Sequence, residues 1–238
     1  MFGLVEITRS FTAMNTNVEA VVCVPSGGEK QAENALLLVQ DIFTSVEAAL
    51  SRFIPDSEIS RLNRSAGQPF QASSVDLGGI AKGWTVDYAG QKLKDFSGFA
   101  IDAGGDILLG GKRADGSLWP IGVVDPFNLQ ENLTVLELSD CAICTSTTTR
   151  RCWRLDGFSG HHLIDSRHGK PADSAVVSVT VIADSAARAE VIAKTALILG
   201  PDEGMQFIHS QTGAQGIIVL NNGVLLRSEE TREAGYVR

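Results

Sequence analysis

The chain has 238 residues, 44% of them hydrophobic, and a formal net charge of −8. That length can bury a core as a single domain, 1–238, or as two intimately joined lobes. So acidic a chain argues against a nucleic-acid partner, whose binding relies on basic surface. No apolar run approaches the ~20 residues that cross a bilayer, so no membrane insertion is expected. The opening MFGLVEITRS lacks the basic and apolar regions of a signal peptide, so a cytoplasmic location is expected.

In chain order, residues 4–11 and 15–24 read as a strand pair, with Val18, Ala20, Val22 and Val24 alternating along one face. A helix follows. Ser26 and Glu29 have capping-box spacing, and Ala35, Leu36, Val39, Ile42, Phe43, Val46, Leu50 and Phe53 trace one apolar stripe. Pro55 breaks that pattern and Asp56 is placed to cap a short helix. VDLGGIAKGWTVD reads as a strand end, a Gly-Gly turn and a helix start, IDAGGDILLGG as two strands about a glycine turn, and WPIGVVDP as a further strand.

Between Leu133 and Thr149 lie two strand-like runs, and HHLIDSRHGKPAD is a loop by composition. VVSVTVI is a strand. Asp184 is expected to cap a helix carrying Val191, Ile192, Leu197 and Leu199 and stopped by Gly200 and Pro201. A hairpin about Asn221, Asn222 and Gly223 closes the tail. Strands and helices mix without a regular βαβ repeat, which predicts an α+β fold.

Four cysteines, Cys23, Cys141, Cys144 and Cys152, are too few for a disulfide framework. Cys141 and Cys144 with Cys152 and His161 fit no zinc spacing, so the cysteines are read as small buried residues. GxGxxG, the Walker A loop and the GxSxG elbow are all absent, which leaves a Ser146, His162, Asp165 esterase without support.

Four clusters carry possible chemistry. Gly78 and Gly79 at a helix start could bring backbone N–H groups to an anion or simply form a turn. His161, His162 and Asp165 offer a base with a carboxylate nearby. Arg150, Arg151 and Arg154 could grip a phosphate or face solvent. Glu190 and Lys194, four apart on one helical face, could form a simple i,i+4 ion pair.

The order of these clusters, from near Met14 to about Gly200, resembles that of the ApbE-type FAD:protein FMN transferases. The matching stretches are MNTNV, LSRFIPDSEISRLN, DLGGIAKGWTVD, AGGDI, WPIGVVDP, TST, HHLIDSRHGKPA and SVTVIADSAARAE. The resemblance implies an ApbE-like, T-fold-like arrangement of mainly antiparallel sheets with packed helices. It implies that FAD is split at its diphosphate and FMN is passed to a Thr or Ser hydroxyl of an acceptor flavoprotein, with Mg2+ assisting. The alternative is an FAD-binding or FAD-hydrolysing relative, releasing FMN and AMP without transfer to protein. By the same carry-over, His162 is the base with Asp165 assisting. Met14 and Phe53 touch the flavin, Asp76, Gly79, Lys82 and Asp106 line the nucleotide site, and Gly79 and Glu190 hold the metal.

Two departures stand out. Where the family has a Thr or Ser four positions after its acidic ligand, this chain has Lys194, which is expected to pair with the diphosphate directly and puts Mg2+ dependence in question. Between Asn63 and Asp76 the segment is shorter than in the family, which should weaken the FAD pocket.

Overall fold

The computed structural model describes residues 3–65, 76–150, 152–155 and 158–228. The short segment singled out above falls outside them from residue 66 to 75, as does Arg151. The chain forms two compact units, Met1–Ser117 and Leu118–Arg238.

The first unit contains β1 (Leu4–Ala13), β2 (Thr16–Pro25), α1 (Glu29–Leu50), α2 (Glu58–Ser65), α3 (Ala81–Gly90), β3 (Gly98–Ala103) and β4 (Asp106–Gly111). Its strands pair antiparallel in the order β1-β2-β3-β4. The period-two face of β2 is buried as its pattern requires: Val18, Ala20, Val22 and Val24 are all inside. Helix α1 covers β1 and β2 with Ala32, Leu36, Val39, Ile42 and Phe43. Phe43 meets Phe11 of β1 edge to face, at 5.6 Å between ring centres.

Three local expectations in this unit are corrected. The capping box at Ser26 does not form, because the chain turns at Gly27, whose φ is 98°, and the helix starts after Gly28. Ser26 Oγ instead donates to the Gly3 carbonyl. The cap of α2 is Ser57, which accepts the Ser60 N–H at 3.1 Å, and Asp56 only approaches Arg64. Phe53 does not extend the stripe: α1 ends at Leu50, Ser51 turns to extended backbone, and Phe53 is left 82% exposed.

The second unit contains β5 (Trp119–Val124), β6 (Asn132–Leu138), β7 (Ala142–Thr147), β8 (Cys152–Leu155), β9 (Phe158–His161), β10 (Ile164–Asp165), β11 (Lys170–Pro171), β12 (Val176–Ala183), α4 (Ala186–Leu199), α5 (Pro201–Ser210), β13 (Gln215–Leu220) and β14 (Leu225–Arg227). Strands β7, β12, β13 and β14 neighbour one another in that order, and β5 with β6, β8 with β9 and β10 with β11 form two-stranded pairs. These pairings are antiparallel. The predicted α+β class with mainly antiparallel sheets is therefore the observed one.

Helix α4 lies on β7 and β12 through Ala186, Ala189, Ala193 and Ala196, together with Ile192 and Leu197. Of the four apolar residues the helix was expected to carry, Ile192 and Leu197 are buried, Val191 is exposed and Leu199 is half-buried. Ser185, not Asp184, is the N-cap residue, and Asp184 pairs with Arg188 one turn on. The stretch 161–173 is not a plain loop, since it contains the β10–β11 hairpin. Helix α5 was not expected, although Pro201 at its first turn followed by Asp202 and Glu203 is a helix-start signature.

Candidate active site

In the first unit, β1 and β2 are joined by a two-residue turn, Met14–Asn15, in which both residues have positive φ, 53° and 57°. Asn tolerates that conformation, whereas Met14 is held there against its preference. The β3–β4 turn, Gly104–Gly105, lies against it. A Cβ on Gly104 would come within 2.0 Å of Thr16 Oγ1, so the contact requires glycine.

Asp102, at the end of β3, accepts the Gly105 N–H at 2.8 Å and shapes this turn. Burial pushes its carboxyl above the ordinary value, against the pull of the Gly105 N–H and of Lys82. Lys82, in the first turns of α3, places its ammonium 2.5 Å from Asp106 Oδ2 and donates to the Ala103 carbonyl at 2.8 Å. The Asp106 side chain is 4% exposed, so this is a buried ion pair. It pins the start of α3, with the Gly78–Gly79 turn just before it, to the glycine turn of the sheet.

On the other side of that turn, Gly78 donates its N–H to Asp76 Oδ1, and Arg52 Nε lies 3.3 Å from Asp76 Oδ2. The Arg52 guanidinium also covers the Phe53 ring at 4.8 Å. A Cβ on Gly79 would meet nothing within 4 Å, so the chain's own packing does not demand glycine there. A run of contacts thus joins Phe53, Asp76, the Gly78–Gly79 turn, Lys82 and Asp106. Met14 lies two residues from Thr16, against Gly104. Asp102 and Arg52 were not singled out in the sequence; the Asp-x-x-Gly spacing of DAGG was the signal for the first.

In the second unit the two adjacent histidines have different surroundings. His161 Nδ1 accepts the Leu163 N–H at 3.3 Å, and Nε2 sits 3.0 Å from the Ala172 carbonyl. With Nδ1 accepting, Nε2 is the nitrogen placed to donate to that carbonyl. His162, next along, is exposed.

Asp165 is buried, and its carboxylate receives the Arg167 guanidinium in a fork, Nη2 at 2.8 Å and Nε at 3.0 Å, together with the Arg167 backbone N–H. The Arg167 side chain is the main reason its carboxyl is drawn down to about 2. The Asp165 carbonyl accepts N–H groups from His168 and Gly169, which closes the β10–β11 turn. Beside this turn lies a cavity of about 760 Å³, lined among others by Arg167, His168, Lys170, Ser174 and Gly200. Of the arginine cluster, Arg150 follows β7 and Arg154 lies on β8.

On α4, Glu190 and Lys194 form the expected i,i+4 pair, with Nζ 2.5 Å from Oε1. The Glu190 side chain is 3% exposed and that of Lys194 is 21% exposed. Among the described residues no group of three or more His, Cys, Asp or Glu side chains is arranged to hold a metal ion. The cysteines are free. Cys23 and Cys144 are buried, Cys141 is half-buried, and Cys152, against expectation, is exposed.

Residues 68–218 match the model of the ApbE family. The chain is similar to an FAD:protein FMN transferase of Vibrio cholerae serotype O1, 36% identical over 137 residues, covering 55% of this chain and 40% of the relative. It is also similar to one of Klebsiella pneumoniae, 28% identical over 148 residues, covering 61% and 42%. These matches thus span about two fifths of the length of the curated relatives. Among solved structures, the ApbE protein of Thermotoga maritima superposes with a TM-score of 0.85 at 20% identity, covering 96% of this chain and 99% of that one. The flavin transferase ApbE of Vibrio cholerae gives 0.81 at 20% identity, covering 98% and 100%. With the family model spanning more than half of its residues and the same fold in both solved structures, the chain belongs to the ApbE family.

Proposed function

We propose that this chain is an FAD:protein FMN transferase. The hydroxyl oxygen of a Thr or Ser on an acceptor flavoprotein attacks the phosphorus on the FMN side of bound FAD. The bridging P–O bond breaks, AMP leaves, and the hydroxyl proton passes to His162. General-base help of this kind contributes roughly 10²–10⁴-fold.

The observation that carries the reading is the division between the two histidines. His161 has backbone partners at both ring nitrogens, and His162 beside it occupies an exposed position, open to approach by an acceptor hydroxyl in this reading. In this reading Met14 and Phe53 meet the flavin, while Asp76, Gly79, Lys82 and Asp106 line the nucleotide site. Asp165 acts as a positioning residue, because with Arg167 it fixes the turn that follows His162. Lys194 contributes positive charge toward the diphosphate.

The family implies Mg2+, with Gly79 and Glu190 as ligands. Glu190 does not fit that role, since its carboxylate already holds the Lys194 ammonium. No step is therefore routed through the metal.

The test is incubation with FAD and a peptide carrying the family's acceptor motif, read by mass spectrometry. An FMN adduct on the acceptor hydroxyl with stoichiometric AMP is expected, and His162→Ala should abolish it. AMP without adduct would point to hydrolysis, and FAD left whole would refute the reading.

A further inference from the structure

We propose that Lys194 takes the place of a divalent cation in this chain, so that the protein has no Mg2+ site on α4 and handles its anionic substrate with a built-in ammonium. Glu190 is the one charged residue among the buried residues of α4, which are otherwise four alanines, Ile192 and Leu197. A carboxylate there needs a cation. Lys194, one turn on, supplies it with Nζ 2.5 Å from Oε1.

A divalent ion at this carboxylate would have to displace the ammonium or sit against its charge, and it also needs several further oxygen ligands. The same solution appears independently in the first unit, where buried Asp106 is closed by Lys82. Asp106 and Glu190, each in its own unit, thus both carry a lysine as resident cation.

The direct test is a Mn2+ titration of the protein without FAD, followed by the loss of the free-ion electron paramagnetic resonance signal. The wild type is expected to take up no stoichiometric Mn2+ up to about 1 mM, the weak end of protein cation sites. Lys194→Thr, which removes the ammonium and adds a hydroxyl, is expected to take up one ion per chain. Stoichiometric uptake by the wild type, or none by a folded Lys194→Thr variant, would overturn the proposal.

A second arm, which rests on the FAD reading above, is calorimetry of FAD binding in EDTA and in Mg2+. For the wild type the two affinities should agree within about twofold. Lys194→Gln should lose about tenfold or more in EDTA. Binding by the wild type only when Mg2+ is present would also sink the proposal. No FAD binding in either buffer would refute the flavin reading instead, leaving the Mn2+ titration to decide the role of Lys194.

Discussion

Replacing Lys82 by Met preserves the stem and removes the ammonium. Asp106, with its side chain 4% exposed, then loses its counter-charge, and Oδ2 has no well-aligned hydrogen-bond donor among the described residues to replace it. Breaking a buried pair from one side costs about 3–5 kcal/mol. Because the Lys82 side chain is 19% exposed, water can reach the vacated position, and the low end, about 3 kcal/mol, is expected. The lost bond to the Ala103 carbonyl adds about 1 kcal/mol. A total near 4 kcal/mol corresponds to a fall in Tm of roughly 8–16 °C for a chain of this size. Differential scanning calorimetry of the wild type, Lys82→Met, Asp106→Asn and the double variant measures it as a cycle. The double variant should recover most of the loss, to within about 1 kcal/mol of Asp106→Asn alone. A loss below about 1 kcal/mol in Lys82→Met, or a double variant no better than it, would show that the pair does not pin α3 to the sheet.

Four further outcomes are expected. The Asp165 carboxyl titrates at about 2 in the fold, below its ordinary 3.8, so its contribution is complete above about pH 4 and is lost as the pH falls toward 2. Near-UV circular dichroism should show Asp165→Asn losing that acid-dependent step, and an unchanged acid transition would refute it. Ellman's reagent at pH 8 should label exposed Cys152 first, because burial pushes the thiols of Cys23 and Cys141 up to about 11 and Cys144 is buried; immediate labelling of all four cysteines would contradict this. His161→Ala should destabilise by about 1–3 kcal/mol through its two backbone hydrogen bonds in urea melts, and an unchanged midpoint would show that those bonds do not hold this stretch. Gly204→Ala should cost about 1–3 kcal/mol in the same melts, because a Cβ would come within 2.3 Å of the Ala196 carbonyl where α4 meets α5; a neutral result would show that these helices can separate freely.

The elements legible in the sequence were those whose signal is periodic or tied to one turn residue. The alternation of β2, the stripe of α1 and the Asn-Asn-Gly hairpin before β14 all reappear in the structure. The caps were misread because a cap depends on where the backbone enters the helix. Gly27 turned the chain away from Ser26, and Ser57 was better placed than Asp56. The β10–β11 hairpin was hidden because two-residue strands carry no period; the Asp165–Arg167 fork and the two N–H groups on the Asp165 carbonyl hold it. For the site, residue types and spacing nominated the histidine pair and Lys82, but neither tells that His161 is held by backbone groups at both ring nitrogens.

By itself the sequence determined the α+β class, through periodicity and turn placement, and it nominated candidate residues, some by their chemistry and spacing and the others by the resemblance to the ApbE family. Tertiary structure alone decided the pairing of those residues: His161 bound to the Ala172 carbonyl, Lys82 closed on Asp106, and Asp165 turned toward Arg167. The physical reason is that burial and partner geometry depend on groups brought together from different elements. A charge or imidazole acquires its role from what surrounds it, and only the folded chain supplies those surroundings.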